Sequence, residues 1–193
     1  MSLRDRVKRL LGVRGAGWQN PVVYAGLTAL RPVDWALRVI QGHGDLPAYT
    51  ARVRSNGISL DLGARTFARN GAVLADALRE RAGLTRESRV LEIGCGSGRT
   101  AHALVGTLAP GHFTGMDIDR ASIDACRHNR ALARQDFRFE WIDVHNAEYN
   151  PAGRVRARDY RFPFADGAFD VIFLVSVFTH MLPEDVTAYA NEI

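Results

Sequence analysis

Val90-Leu91-Glu92-Ile93-Gly94-Cys95-Gly96-Ser97-Gly98-Arg99 reads as a short apolar strand carrying one acid, then glycine at every second position, then the start of a helix. Glycines at 94, 96 and 98 let the backbone turn sharply and approach a ligand with no Cβ in the way. A helix opening there turns its free N–H groups toward the same space, which suits a polar or anionic ligand. The pattern is the nucleotide-cofactor corner of a doubly wound α/β sheet.

The neighbouring sequence extends that reading. Upstream, Val73, Leu74, Ala77, Leu78 and Ala82 predict a helical stripe with Gly83 as its C-terminal cap. Downstream, helices are expected over 99–108 and 120–134, the second capped by Asp119, and strands over 112–116, 137–142 and 169–175. Pro183, with Glu184 and Asp185 in the first turn, opens a last helix. Strand and helix alternate, and the strands at 90 and 169 are nearly continuous apolar runs, as buried parallel strands are. The expected fold is α/β and Rossmann-like. Its domain covers residues 66–193, behind a basic, helical extension over 1–65. In that extension Leu3, Val7, Leu10 and Leu11 suggest a short amphipathic helix, and 32–41 a second helix stopped by Gly42; 47–63 reads as loop or short strand.

Composition narrows the setting. The 193 residues are 47% hydrophobic, enough for one main core. The first twenty residues hold five cations against one acid, so they carry the whole formal charge of +4 and the remainder is balanced. That leading segment is either a solvated end or a contact with membrane or nucleic-acid phosphates. Cys95 and Cys126 have no metal-ligand spacing and form no disulfide framework, so no metal is expected and a reducing cytoplasm fits. Residues 21–30 are apolar, yet lack a small-residue cleavage pattern and fall short of the roughly 20 residues that a span needs.

Two common glycine loops are excluded by position. A dinucleotide fingerprint starting at Gly94 and Gly96 needs its third glycine at 99, which is Arg99, and no Gly-Lys-Ser/Thr follows for a phosphate loop. The arrangement Glu92-x-Gly94-x-Gly96-x-Gly98 instead resembles the first motif of class I S-adenosylmethionine-dependent methyltransferases. Gly115-Met116-Asp117-Ile118-Asp119 resembles their second motif, Asp143 matches the acid after the third strand, and Phe169-Asp170-Val171-Ile172 looks like the fourth-strand motif. Asp143 to Gly153 (Asp-Val-x-Asn-x-x-Tyr-Asn-Pro-x-Gly) and Ser176 to Met181 (Ser-Val-Phe-Thr-His-Met) are similar to a subgroup of small bacterial methyltransferases.

The resemblance implies S-adenosyl-L-methionine as cofactor and assigns residues to it. Gly94, Cys95 (through its backbone), Gly96 and Gly98 form the loop, with Glu92 organising the loop and the cofactor's ammonium group. Asp117, beside Ile118, accepts from the ribose hydroxyls, since one carboxylate can accept two protons at once. Asp143, beside Val144, accepts from the adenine amino group, with Asn146 as the nearby alternative. His180 is the candidate general base, or else a pocket wall. The acceptor expected is a small molecule or a glycan, since no nucleic-acid module is visible. The arginine-rich loop of Arg154, Arg156, Arg158 and Arg161 either grips an anion or is simply solvated. Family members continue with further strands past the point that Ile193 reaches, so a fragment of a longer protein is expected, with its fourth strand an exposed edge. The alternative is a truncated, non-catalytic module that binds cofactor or a partner. Oligomeric state is not legible here.

Overall fold

A computed structural model describes residues 20–58 and 61–193; the amphipathic stretch expected around residues 3–11 lies outside them. Three helices come first: α1 (Pro21–Ala29), α2 (Arg31–Ile40) and α3 (Tyr49–Asn56). Asn20 caps α1, accepting from the N–H groups of Val22 and Val23. Where a loop or strand was expected over 47–63, the chain forms α3. Its sequence, Tyr-Thr-Ala-Arg-Val-Arg-Ser-Asn, has no apolar stripe, and tertiary contacts make the helix. Tyr49 and Val53 are buried with Leu27 of α1, and Arg52 reaches the enclosed carboxylate of Asp34 on α2 at 2.7 Å. Asp34 also receives Arg38 at 3.0 Å and the N–H groups of Tyr49 and Gly63, so a buried polar cluster joins the three helices.

Asp61 accepts from the N–H groups of Thr66 and Phe67 and so caps α4 (Arg65–Ala82), which ends at Gly83 as expected. The buried stripe of α4 is Phe67, Gly71 and Ala75; Val73, placed inward by the sequence pattern, is exposed. The small residues set that register, because a Cβ on Gly71 would lie 2.6 Å from the Arg99 carbonyl oxygen of the next helix.

The sheet comprises β1 (Val90–Ile93), β2 (Phe113–Asp117), β3 (Arg138–Trp141) and β4 (Val171–Leu174), all parallel in the order β3-β2-β1-β4. Between them run α5 (Arg99–Leu104), α6 (Arg120–Arg127) and α7 (Arg130–Arg134), and α8 (Pro183–Ala190) closes the series. The fold is Rossmann-like α/β, as expected, with two corrections to its helices. α5 stops at Leu104 rather than 108. The helix expected over 120–134 is two, because Asn129 accepts from the N–H groups of Ala131 and Leu132 and starts a new one.

Strand alternation sends Val90, Phe113 and Phe139 to a core shared with α4 to α7, and Leu91, Ile93 and Met116 to a second core with Ile142 and Tyr189. β1 is buried throughout; β4, which pairs only with β1 among the described residues, is half-buried throughout. The chain moves outward from β1 to β3, then crosses back to place β4 on the other side of β1. That reversal opens a crevice beyond the carboxyl ends of β1 and β4, where sheets of this kind bind ligands.

Candidate functional site

The crevice is a real cleft. It holds about 960 Å³ of empty space, the open solvent at its mouth included. Each strand delivers residues to it from its carboxyl end: Ile93, Gly94 and Gly96 after β1; Asp117, Ile118 and Asp119 after β2; Ile142, Val144 and Asn146 after β3; Val175, Val177 and His180 after β4.

The loop after β1 is held open by its glycines. Gly94 and Gly96 have φ of 76° and 52°, a backbone conformation that side chains disfavour. A Cβ on Gly94 would strike Val177, and one on Gly96 would lie 2.5 Å from the Ser55 Cβ. The loop is thus packed closely against the Val177 side chain after β4 and the Ser55 side chain of α3. Ser176, beside Val177, also has a positive φ of 61° and lines the cleft; such strain is held in place by the surrounding fold.

Asp117 fixes the loop from β2. Its Oδ2 accepts from Gly96 N–H at 2.7 Å and its Oδ1 from Asp119 N–H at 2.8 Å. Burial pushes its pKa from 3.8 up to about 6 despite those bonds, so at neutral pH it is an ionised, largely desolvated carboxylate in the cleft wall. Asp119 stands at the start of α6, yet its side chain caps no helical N–H. It accepts from the Ser122 hydroxyl at 2.6 Å and is forked by the Arg54 guanidinium, whose Nε lies at 2.8 Å. The expected capping role of Asp119 is thus replaced by an ion pair from α3.

That pair belongs to a wall the sequence did not reveal. Arg54 and Ser55 of α3 line the cleft, and the Ser55 hydroxyl meets that of Ser97 at 2.7 Å. Nothing in the local spacing of Arg54 or Ser55 marks them, because their position depends on the Asp34 cluster that builds α3.

The wall after β3 explains its motif residue by residue. Asn146 Oδ1 accepts from the N–H groups of Glu148 and Tyr149, and Asn150 Nδ2 donates to the Val144 carbonyl at 3.0 Å. Gly153 is required by close approach, since a Cβ there would sit 2.6 Å from the backbone of His145. The folded loop presents Tyr149 to the cleft, and the ring of Tyr149 meets that of His180 edge-on at 5.4 Å. The Nδ1 of His180 is 3.7 Å from Glu148 Oε2, and its carbonyl accepts from Asn146 Nδ2.

The structure therefore gathers Gly94, Gly96, Asp117, Ile118, Val144 and His180 around one cleft. Glu92, Cys95, Gly98 and Asp143 stand behind or beside it. Glu92 points to the opposite face, enclosed, with Oε1 taking the Thr100 hydroxyl at 2.9 Å and Oε2 without a partner; burial pushes its pKa from 4.5 to about 8. The Cys95 thiol is buried and pushed well up, packed where Gly115 leaves room. Asp143 is ion-paired with Arg154 at 2.5 Å. The other arginines of that loop also have carboxylates, Arg156 with Asp159, Arg158 with Glu184 and Arg161 with Glu192, so the loop is not an open anion site. Among the described residues no cluster of ligating side chains could hold a metal ion.

Known proteins share about half of the chain. It is 35% identical over 95 residues to phthiotriol/phenolphthiotriol dimycocerosates methyltransferase 1 of Mycobacterium ulcerans and 33% identical to the corresponding Mycobacterium tuberculosis methyltransferase. It is 30% identical to a fatty-acid O-methyltransferase of Mycolicibacterium smegmatis. Each alignment takes in 49% of this chain but 28% of the relative, so the shared part is a minor portion of those proteins. The solved structure of YcgJ from Bacillus subtilis, 22% identical, superposes on 65% of this chain and 46% of its own with a TM-score of 0.45, too distant a likeness to speak to the chemistry. The profile of the family described as "Methyltransferase domain" matches residues 91–193. A profile that begins inside β1 and takes in more than half of the residues is enough to say that the chain belongs to the methyltransferase-domain family, with the class I fold.

Proposed function

We propose that the chain forms the cofactor-binding part of an S-adenosylmethionine-dependent methyltransferase that acts on an oxygen of a small, lipid-like acceptor. Asp117 carries the reading. It is a desolvated carboxylate at the end of β2, in the wall of the cleft and bonded to the glycine loop through the Gly96 N–H. A carboxylate has about four lone-pair positions, so the bonds from Gly96 and Asp119 leave room for the hydroxyl pair of a ribose. The cleft's apolar residues, among them Ile142, Val144 and Val177, suit an adenine ring and an aliphatic acceptor alike. The names of the relatives, a phthiotriol/phenolphthiotriol dimycocerosates methyltransferase and a fatty-acid O-methyltransferase, favour a lipid-like acceptor over a glycan.

The chemistry that S-adenosylmethionine supplies when bound is an electrophilic methyl group on sulfur, whose leaving group needs no proton. What the protein adds is position and a dry wall. Gly94 and Gly96 let the ligand lie against backbone, Asp117 fixes its sugar, and Ile118 and Val144 exclude water. His180, facing the cleft with Glu148 behind it, holds the proton that an acceptor hydroxyl gives up.

Calorimetric titration of the chain with S-adenosylmethionine tests this directly. Asp117→Asn is expected to weaken binding by about tenfold or more, the loss of a charge-assisted pair. His180→Ala should leave affinity unchanged and lower turnover. Equal affinity in wild type and Asp117→Asn, or tighter binding of NAD than of S-adenosylmethionine, would overturn the assignment.

A further inference from the structure

The N-terminal helices are built inside out. On α2 the buried residues are Asp34 and Arg38, both held in the polar cluster with Arg52. The opposite arc carries Val33, Trp35, Val39 and Ile40, and Trp35 is 60% and Ile40 80% exposed. Val22 of α1 is 79% exposed and Tyr24 also faces solvent. Across 21–40 the single charged side chain left outside is Arg31. A soluble helix of this size ordinarily turns its apolar arc inward, and scattered exposed apolar residues are common, but a contiguous face of this kind marks an interaction site.

We propose that this face of α1 and α2 docks the protein on an anionic lipid bilayer. The charge next to it identifies the partner. The segment running directly into α1 carries Arg4, Arg6, Lys8, Arg9 and Arg14 against Asp5, and the rest of the chain is neutral. Cations in the sequence that leads into an apolar face with a tryptophan match a surface of acidic headgroups over acyl chains. No helix among the described residues is long and apolar enough to cross a membrane, so the contact is interfacial. α1 and α2 both touch α3, whose Arg54 and Ser55 line the cleft, so docking would hold the cleft at the lipid surface. The proposal concerns where the protein sits and does not depend on the proposed reaction.

The test is co-sedimentation of the full chain with vesicles of phosphatidylcholine alone and of phosphatidylcholine with phosphatidylglycerol. Binding is expected to the anionic vesicles, to weaken as salt is raised, and to fall by about tenfold or more in the Trp35→Ser/Ile40→Ser double variant. Both positions are exposed, so circular dichroism should show an unchanged fold. Three results would overturn the proposal. Wild type and variant partition equally; neither binds; or the wild type is a dimer in solution that the double variant dissolves, which makes a second copy the occupant. A fourth also would: Trp35 shielded from a soluble quencher in lipid-free protein and exposed once residues 1–19 are removed, which makes the leading segment its cover.

Discussion

Glu92 stores a proton behind the glycine loop, and the consequence for stability is measurable. Its carboxyl is enclosed on β1 with one hydrogen bond, and burial raises its pKa from 4.5 to about 8. In the unfolded chain it titrates normally. Between those values the native protein therefore holds a proton that the unfolded chain has released, and stability falls as pH rises, by about 1.4 kcal/mol per pH unit. Two other buried groups obscure the lower part of that range. Asp117, raised to about 6, adds to the fall below that pH. His102, which burial lowers from 6.5 to about 4, acts in the opposite direction. From pH 6.5 to 8 Asp117 is mostly ionised in both states and the release of protons from unfolded His102 is common to a Glu92 variant, so the difference between the two proteins over that interval, about 2 kcal/mol, belongs to Glu92. Glu92→Gln keeps the shape and supplies a neutral donor like the protonated acid, but it cannot ionise. Urea unfolding of both proteins at pH 6.5 and pH 8 should show the wild type losing about 2 kcal/mol relative to the variant. Parallel behaviour of the two would refute the assignment of the proton to Glu92.

The other expectations concern the helices that lean on the loop. Arg54→Ala leaves Asp119, nearly buried, with the Ser122 hydroxyl in place of a guanidinium; thermal unfolding should report a loss of about 2–3 kcal/mol, together with weaker cofactor binding because α3 is released from the cleft. Asp34→Ala strands Arg38 and Arg52 in the interior, so it should cost about 3–5 kcal/mol and raise hydrogen exchange in α1 to α3 more than in the sheet. Burial alone would raise the pKa of Asp34, but hydrogen bonds from Arg52, Gly63 N–H and Arg38 hold it below 3.8. Its contribution is therefore present above that value and lost as pH falls through the lowered pKa, so wild type and variant should converge on strong acidification.

Sequence reading was most direct where backbone conformation is written in single residues. The glycines at 94 and 96 are demanded by φ and by close approach, and both are facts about single residues. The apolar strands around them have only one way to be buried. It was less exact where one side chain decides between continuations. The break at Asn129 escaped it, because an apolar pattern does not register a side-chain carbonyl that caps a new helix. It missed the cleft wall made by Arg54 and Ser55, since α3 is stabilised by an acid far away in sequence rather than by its own pattern.

The inverted helix α2 shows why that miss was systematic. An amphipathic pattern fixes an axis across the helix but not which end of the axis is inward; the inward sign comes from the rule that apolar surface is buried against the core. On α2 a carboxylate shared by two arginines and two backbone N–H groups satisfies the interior instead, and the apolar arc is turned out. Burying three charges costs desolvation that well-packed aliphatic residues would avoid. A chain that places its ion pairs inside and Trp35 and Ile40 outside has therefore forgone stability in isolation, and the arrangement is favourable only where something apolar covers the outer face. The five cations that lead into that face select an acidic lipid surface as the cover.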